Sequence, residues 1–380
     1  MTTSHRRFHT VVAGLAAVLA LAACAQTGQP AAGTSPAPGA TATTQTTRDL
    51  QTCFGTAPAG WAGTQRASLP TTRFDPQVVA VSGDRAYGGY QTATGVRGIA
   101  ALDLNSGALN PLVTSPVGTA GVLGFAVAPP WLAWVQGMGQ QFFGAWELHA
   151  RNLDTGEELT PATGSAGIPV PAPLLHGTEL AWVQSTSVDL TAPAGELRVY
   201  DVAAHKQSVL DSGVVGPPVV AGPYMLWTHG GGDAAVIQAV DASTLLSAAL
   251  PARLRAQTGV RALAGSPAYV VWDTDRNHGA AWRLDHDQLT TYTVAEPYGL
   301  QFITVAGHFL LWTSGAPAAL VMDLDTGGGY LLPSVGLAGS EAAIVRTDPL
   351  GASNPKSGSA GNTVSVLATS SAPAIPACRR

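Results

Sequence analysis

An apolar run closed by an aromatic residue occurs six times along this chain, at Tyr87, Trp134, Trp182, Trp227, Trp272 and Trp312. Each is followed 11 to 20 residues later by an aspartate: Asp103, Asp154, Asp201, Asp241, Asp285, Asp323. Successive aromatics are 47, 48, 45, 45 and 40 residues apart. A period of that length marks a solenoid or a propeller, and it constrains the fold more than any composition figure does.

The unit reads as four short β runs. At 173–210 the runs Pro-Leu-Leu-His-Gly, Glu-Leu-Ala-Trp-Val, Glu-Leu-Arg-Val-Tyr-Asp-Val and Gln-Ser-Val-Leu are separated by Gly, Pro and polar residues. Leu197 and Val199 alternate with Glu196, Arg198 and Tyr200, the pattern of a half-buried strand. The same order recurs at 302–332. Asp-Leu-Asn-Ser-Gly at 103–107, Asp-Leu-Asp-Thr-Gly at 323–327 and Asn-Leu-Asp-Thr-Gly at 152–156 are tight turns, where a side-chain oxygen accepts backbone N–H groups and glycine supplies a positive φ. The aspartates therefore read as hairpin formers and the six aromatics as packing between sheets.

A worn seventh unit runs through 339–345 and 363–367, with Ile344 in the place of the tryptophan. Its last strand is not clear in the C-terminal segment, and the segment around Trp61 to Leu69 could supply it, which would close the ring and remove free sheet edges. The expected fold is an all-β propeller of seven four-stranded antiparallel blades, with six as the alternative count. It occupies residues 53–380.

What precedes that body has another character. Arg6 and Arg7 are followed by an apolar run at 11–21, too short to span a bilayer and suited to a signal peptide. Leu-Ala-Ala-Cys at 21–24 resembles the bacterial lipobox, which implies that residues 1–23 are removed and that Cys24 carries a lipid. Residues 24–52 are rich in Ala, Thr, Pro, Gly and Ser, cannot bury a core, and read as a flexible tether. The expected location is the outer side of a cell membrane, lipid-anchored. With Cys24 lipidated, Cys53 and Cys378 remain in a disulfide-permissive space. A bond between them would tie the two ends of the body, worth on the order of 4–5 kcal/mol in a chain-entropy account.

The chain resembles the secreted TolB-like β-propellers, in which a strand ending in Trp precedes a strand reading hydrophobic-x-Asp-hydrophobic-x-Thr-Gly. The resemblance covers nearly the whole body and implies a binding or scaffold role in the cell envelope. The quinoprotein propellers are a near neighbour, but the positions where their docking tryptophan stands hold Leu109, Leu159 and Leu331. The Asp-box of sialidases is absent.

A net charge of −5 with two lysines, Lys206 and Lys356, argues against nucleic acid as a partner. No Gly-x-Ser-x-Gly elbow, His-Glu-x-x-His or Walker loop is present. Function is expected in the unequal loops after the aromatics. Gln141, Phe142 and Phe143 offer an adaptable apolar contact. His229 and Asp233 flank three glycines. Asp273, Asp275, Arg276 and His278 form a polar loop, in which Asp273, Asp275 and Asn277 resemble the start of a calcium loop, although the glycine comes seventh and the twelfth residue is Leu284. The expectation is a module that binds an extracytoplasmic protein, peptide or glycan, without metal, cofactor or catalytic residue. A propeller hydrolase or lyase acting on extracellular carbohydrate, with acids donated from several blades, is the other reading.

Overall fold

A computed structural model describes residues 47–75, 81–82, 84–141, 144–188, 194–295, 299–300, 303–313, 319–332, 336–350 and 361–378. The expectations for 1–23 and Cys24, for Phe142 and Phe143, and for most of the loop at 313–318 lie outside these residues. No helix among the described residues is long and apolar enough to cross a membrane.

Seven sheets follow one another in sequence and close into a ring, a seven-bladed β-propeller. Blade 6 shows the unit: Thr304–Ala306, Phe309–Thr313, Ala319–Asp323 and Gly328–Leu332 pair antiparallel in that order. First strands of adjacent blades meet one another, as Gly121–Ala128 meets Leu174–His176, so they form the inner wall. Blades 2, 3 and 5 repeat this order from 121, 174 and 262. Blade 1 has a divided inner position, Thr72–Asp75 and Val81–Ser82, both on Arg85–Thr92.

Blade 4 departs from the pattern. Its first three strands, Val219–Ala221, Tyr224–His229 and Val236–Asp241, are regular, but the fourth is reduced to one bridge, Val240 to Ser247. Pro251 has no N–H to donate to a ladder, and the chain there turns into the short helix Ala252–Arg255. Leu250, Leu254 and Val260 are buried against Trp272 and Trp282 and fill the gap.

The aromatic series is core. Tyr87, Trp134, Trp182, Trp227, Trp272 and Trp312 are all at most 5% exposed, and Ile344 in blade 7 is 2% exposed. Each lies in an apolar cluster between neighbouring sheets; Tyr87 and Trp134, for example, meet Ile99, Phe125 and Leu132 between blades 1 and 2.

The aspartate series separates into two kinds. Asp103 Oδ1 accepts the N–H groups of Asn105 and Ser106 at 3.0 and 2.7 Å, and Asp201, Asp241 and Asp323 do the same in their blades. In blade 2 the acceptor is Asn152, bonded to Asp154 N and Thr155 N, so Asp154 is in the turn without forming it. In blade 5 the equivalent strand end is Arg283, and Asp285 instead pairs with that arginine at 2.9 Å. Four residues after each of these strand-end residues the backbone is left-handed. Gly107, Gly156 and Gly327 take that place in blades 1, 2 and 6, whereas His205, Leu245 and Asp287 take it in blades 3, 4 and 5 with φ of 55°, 56° and 48°.

The N-terminal segment sews three blades together. Thr47–Gln51 pairs parallel with the outer strand of blade 5, and Cys53–Thr56 pairs parallel with that of blade 6. Thr64–Leu69 then pairs antiparallel with Asn362–Ala368 as the fourth strand of blade 7. The ring is thus closed by first and last segments in one blade, as the sequence implies. The bond Cys53–Cys378 is present. It lies beside Gly327 and Gly328 on the rim of blade 6, one blade before the closure rather than within it.

Candidate functional site

Strand directions alternate, so each blade sends its first–second and third–fourth hairpins to one face. The second–third loops and the links between blades go to the opposite face. The aspartate turns belong to the first. The described parts of the candidate loops at 137–145, 185–195, 229–235 and 273–280 belong to the second, hereafter the loop face.

The polar loop of blade 5 is a brace. Asp273 ends the second strand and is buried; its Oδ1 accepts the N–H of Ala262 at 2.7 Å. Burial pushes its carboxyl above the usual range, against that hydrogen bond and the charge of Arg261. Asp275 Oδ1 accepts the N–H groups of Asn277 and His278, and the carboxylate lies 2.8 Å from His278 Nδ1. These bonds hold the Asp275 carboxyl below the usual range, the backbone bond from Asn277 foremost. Asn277 Nδ2 donates to Val294 O, and Arg276 O accepts from Leu300 N. The oxygens of Asp273 and Asp275 are therefore turned to backbone donors, and the loop pins the link into blade 6. Among the described residues no three His, Cys, Asp or Glu side chains gather as a metal site.

In blade 4 the carboxylate that His229 finds is Asp211, from the outer strand of blade 3, rather than Asp233. Asp211 Oδ2 is 2.8 Å from His229 Nδ1 and accepts the indole N–H of Trp227 at 2.6 Å. Burial raises the Asp211 carboxyl, but the bonds from Trp227 and His229 outweigh it and hold the group below the usual range. Asp233 sits in the turn Gly232–Ala234, and His278 is in the next blade, occupied by Asp275. The sequence-predicted His and Asp residues are thus divided among separate local pairs. Gln141 is exposed on the blade 2 loop, its carbonyl accepting from Gly144 N.

The loop face carries a cavity that no candidate residue lines. It lies between blades 1 and 2, has a volume of about 240 Å³, and is bounded by Arg73, Gln91 and Arg97 on one side and Val122 to Phe125 on the other. Arg73 is directly opposite Gln91, and Gln91 directly opposite Arg97, so the three form one row across three adjacent strands. Directly paired residues project to the same side of a sheet. The neighbouring rows on that side, Gly89 and then Tyr87 with Ile99 and Ala101, show that this side faces blade 2. Gly89 contributes no side chain, which leaves the space beneath the row open.

The opposite wall is shaped by a bulge. The pairing of Gly121–Ala128 with Trp131–Gly137 shifts between Val135 and Gln136, leaving Leu123 as the extra residue. Val122 and Phe125 consequently both face blade 1 although three residues apart, while Leu123 packs toward blade 3. The mouth is held by Gln136, which is 5% exposed and whose amide nitrogen is within 2.9–3.2 Å of Thr119 Oγ1, Gly121 O and Gly137 O. The ten lining residues include two arginines and no Asp, Glu or His.

Apolar side chains also collect on this face. Of the seven large apolar side chains that are exposed among the described residues, five stand on loop-face segments of blades 1–4: Val96, Val117, Met138, Val188 and Val214. Val96 adjoins Arg97, and Val117 and Met138 flank the loop that Gln136 holds.

No family model matches the chain, and no curated protein matches it in sequence. Solved structures with a similar fold include an oligogalacturonate lyase in complex with manganese, at 14% identity and a TM-score of 0.51, covering 80% of this chain and 90% of that one. Another is the β-propeller domain of the trilobed protease from Pyrococcus furiosus, described as having an open velcro topology, at 7% identity and a TM-score of 0.50, covering 73% of this chain and 90% of that one. At these identities the likeness is one of fold.

Proposed function

We propose that this chain is a TolB-like, lipid-anchored propeller of the extracytoplasmic side that docks a protein or peptide partner on the loop face of blades 1–4. The observation that carries the reading is the concentration of exposed Val96, Val117, Met138, Val188 and Val214 on that one face. Single exposed apolar residues are ordinary, but a set gathered on one face fits a protein partner, whose own apolar side chains they would meet. The signal peptide, the cysteine at 24 and the tether support anchoring. A carbohydrate hydrolase would place two carboxyl groups across a sugar, and none is among the described residues that line the cavity.

Two measurements test the reading. Incorporation of a labelled fatty acid should be lost in Cys24→Ala. Crosslinking of the full-length protein in its own membranes should capture a protein that the triple variant Val117→Asp, Met138→Asp, Val188→Asp fails to capture. If the triple variant retains the same crosslinked species, the loop face is not the docking surface. If glycan rather than protein is retained, the partner class is wrong.

A further inference from the structure

We propose that the outer edge of blade 5 is a strand-acceptor site. The chain's own strand Thr47–Gln51 covers it, and an extended polypeptide segment takes that place when the strand lifts away. The site lies on the rim and is separate from the loop-face docking role argued above.

A blade of this fold does not need a fifth strand. Among the described residues the outer strands of blades 1, 2 and 3, Leu109–Thr114, Glu158–Gly164 and Lys206–Gly213, carry none. A sheet edge presents unpaired N–H and C=O groups to any strand that reaches it, and adding a strand there is a recurring mode of peptide binding. Two outer edges are covered by the N-terminal segment, and they are covered differently. On blade 6 the cover Cys53–Thr56 is pinned by the bond to Cys378 and by Phe54, whose ring meets Trp312 edge-on at 5.6 Å. On blade 5 the cover has neither a cysteine nor an aromatic residue. Thr47, Arg48 and Asp49 are exposed, and Leu50, opposite Tyr292, is its hold on the apolar cluster between blades 5 and 6.

Release has a fixed stopping point. Thr52 alone separates this strand from Cys53, so the disulfide and the pairing of Cys53–Thr56 keep the rest of the segment on blade 6. The ring is closed elsewhere, by Thr64–Leu69 on Asn362–Ala368, and stays closed when Thr47–Gln51 leaves. The resident strand also shows what an incoming segment must bring. It runs parallel to Leu289–Thr293. Arg48 donates to Asp325 O at 2.5 Å, and the Asp49 carboxylate accepts from the Thr291 hydroxyl. Both bonds are exposed and so contribute modestly, which leaves Leu50 as the main discriminating side chain. The ligand class is therefore an extended segment with a basic, an acidic and a large apolar residue in that order.

The test uses the full-length protein in detergent. The probe is a fluorescent peptide, Thr-Arg-Asp-Leu-Gln with both ends blocked, and the control is Thr-Arg-Asp-Asp-Gln. In the wild type, amides of Asp49 and Leu50 should exchange with solvent faster than those of Thr64–Leu69, since the strand opens without the ring. Leu50→Asp loosens the resident strand and should bind the probe about ten-fold or more tightly than the wild type, in which the site is mostly filled. Bound probe should protect amides of Leu289–Thr293. Asp49→Cys with Thr291→Cys, which ties the strand to its edge, should bind none. The variant Val117→Asp, Met138→Asp, Val188→Asp should bind the probe as the wild type does, which separates this site from the loop face. The assignment is overturned if Leu50→Asp binds no probe, if the control binds equally, or if protection appears away from Leu289–Thr293. It is also overturned if the tied variant binds like the wild type, or if Asp49 and Leu50 exchange only as slowly as Thr64–Leu69.

Discussion

Cys53 and Cys378, 325 residues apart in sequence, are bonded with their Cα atoms 5.7 Å apart on the rim of blade 6. The bond joins two tails that both lie on that blade: Cys53–Thr56 along its outer strand, and Pro376, whose carbonyl sits 2.0 Å from where a Gly328 Cβ would be. Closing so long a loop restricts the unfolded chain by about 6 kcal/mol in a chain-entropy account. Reduction, or the pair Cys53→Ser and Cys378→Ser, should therefore lower the unfolding temperature. It should also raise amide exchange at Phe54 and Gly55 more than at Thr64–Leu69, because the blade 7 ladder does not depend on the bond. Equal loss of protection in the two segments would mean that the disulfide, and not the strand, closes the ring.

The left-handed position of the third–fourth hairpins gives a second prediction. His205 occupies it in blade 3 with φ of 55°, where a side chain costs about 1–2 kcal/mol relative to glycine, partly offset by glycine's greater freedom when unfolded. His205→Gly should stabilise the protein by about 0.5–1 kcal/mol in denaturant unfolding. The contact that is lost, His205 to Glu157 at 3.2 Å, is exposed and contributes little. Gly107→Ala tests the same rule in reverse. It should destabilise, since φ there is +72° and the new Cβ would lie 2.8 Å from Arg66 O.

That rule also shows how much of the fold can be read from the sequence. The repeat is legible because a large buried side chain recurs in every blade to fill the space between sheets, aromatic in six blades and Ile344 in the seventh. The turn is legible where aspartate and glycine are both kept, and misleads at Asp154 and Asp285, which stand near the turn without being its acceptor. The strands Thr47–Gln51 and Cys53–Thr56 are not legible. They add to outer edges, bury little, and so carry no alternation that would set them apart from a tether. The site is hidden for a different reason. Arg73, Gln91 and Arg97 become neighbours only through the register of three strands, and Asp211 meets His229 only across two blades. No linear motif records either relationship.

Asp241 supplies a pH prediction. Its carboxyl titrates at about 2 against an ordinary 3.8, held down first by the Ser243 hydroxyl and then by the amide and hydroxyl of Thr244. A folded-state pKa below the unfolded one gives stability that is present above the unfolded value and is lost as pH falls toward the folded one. The contribution should therefore disappear between about pH 4 and about pH 2. In Asp241→Asn the acid limb of the unfolding temperature over that interval should flatten. The value near pH 7 should change little, because an amide oxygen does the same in blade 2 through Asn152. A carboxyl ¹³C shift of Asp241 that titrates near 4 would refute the assignment.

Trp61 stands three residues before the closing strand, and it holds both ends of the chain. It is 2% exposed, meets Phe309 edge-on at 5.2 Å and Tyr330 at 5.8 Å, and donates its indole N–H to Pro373 O at 3.1 Å. Removing a buried tryptophan leaves a cavity and costs about 3–5 kcal/mol. Trp61→Ala should lower stability by that order and free the C-terminal tail from about 372 onward, read as faster amide exchange there and earlier cleavage by protease. Trp61→Phe keeps the aromatic contacts and loses only the hydrogen bond. It should restore most of the stability while leaving the exchange near Pro373 raised. If Trp61→Phe were as damaging as Trp61→Ala, the indole N–H rather than the buried ring would be what joins strap to tail.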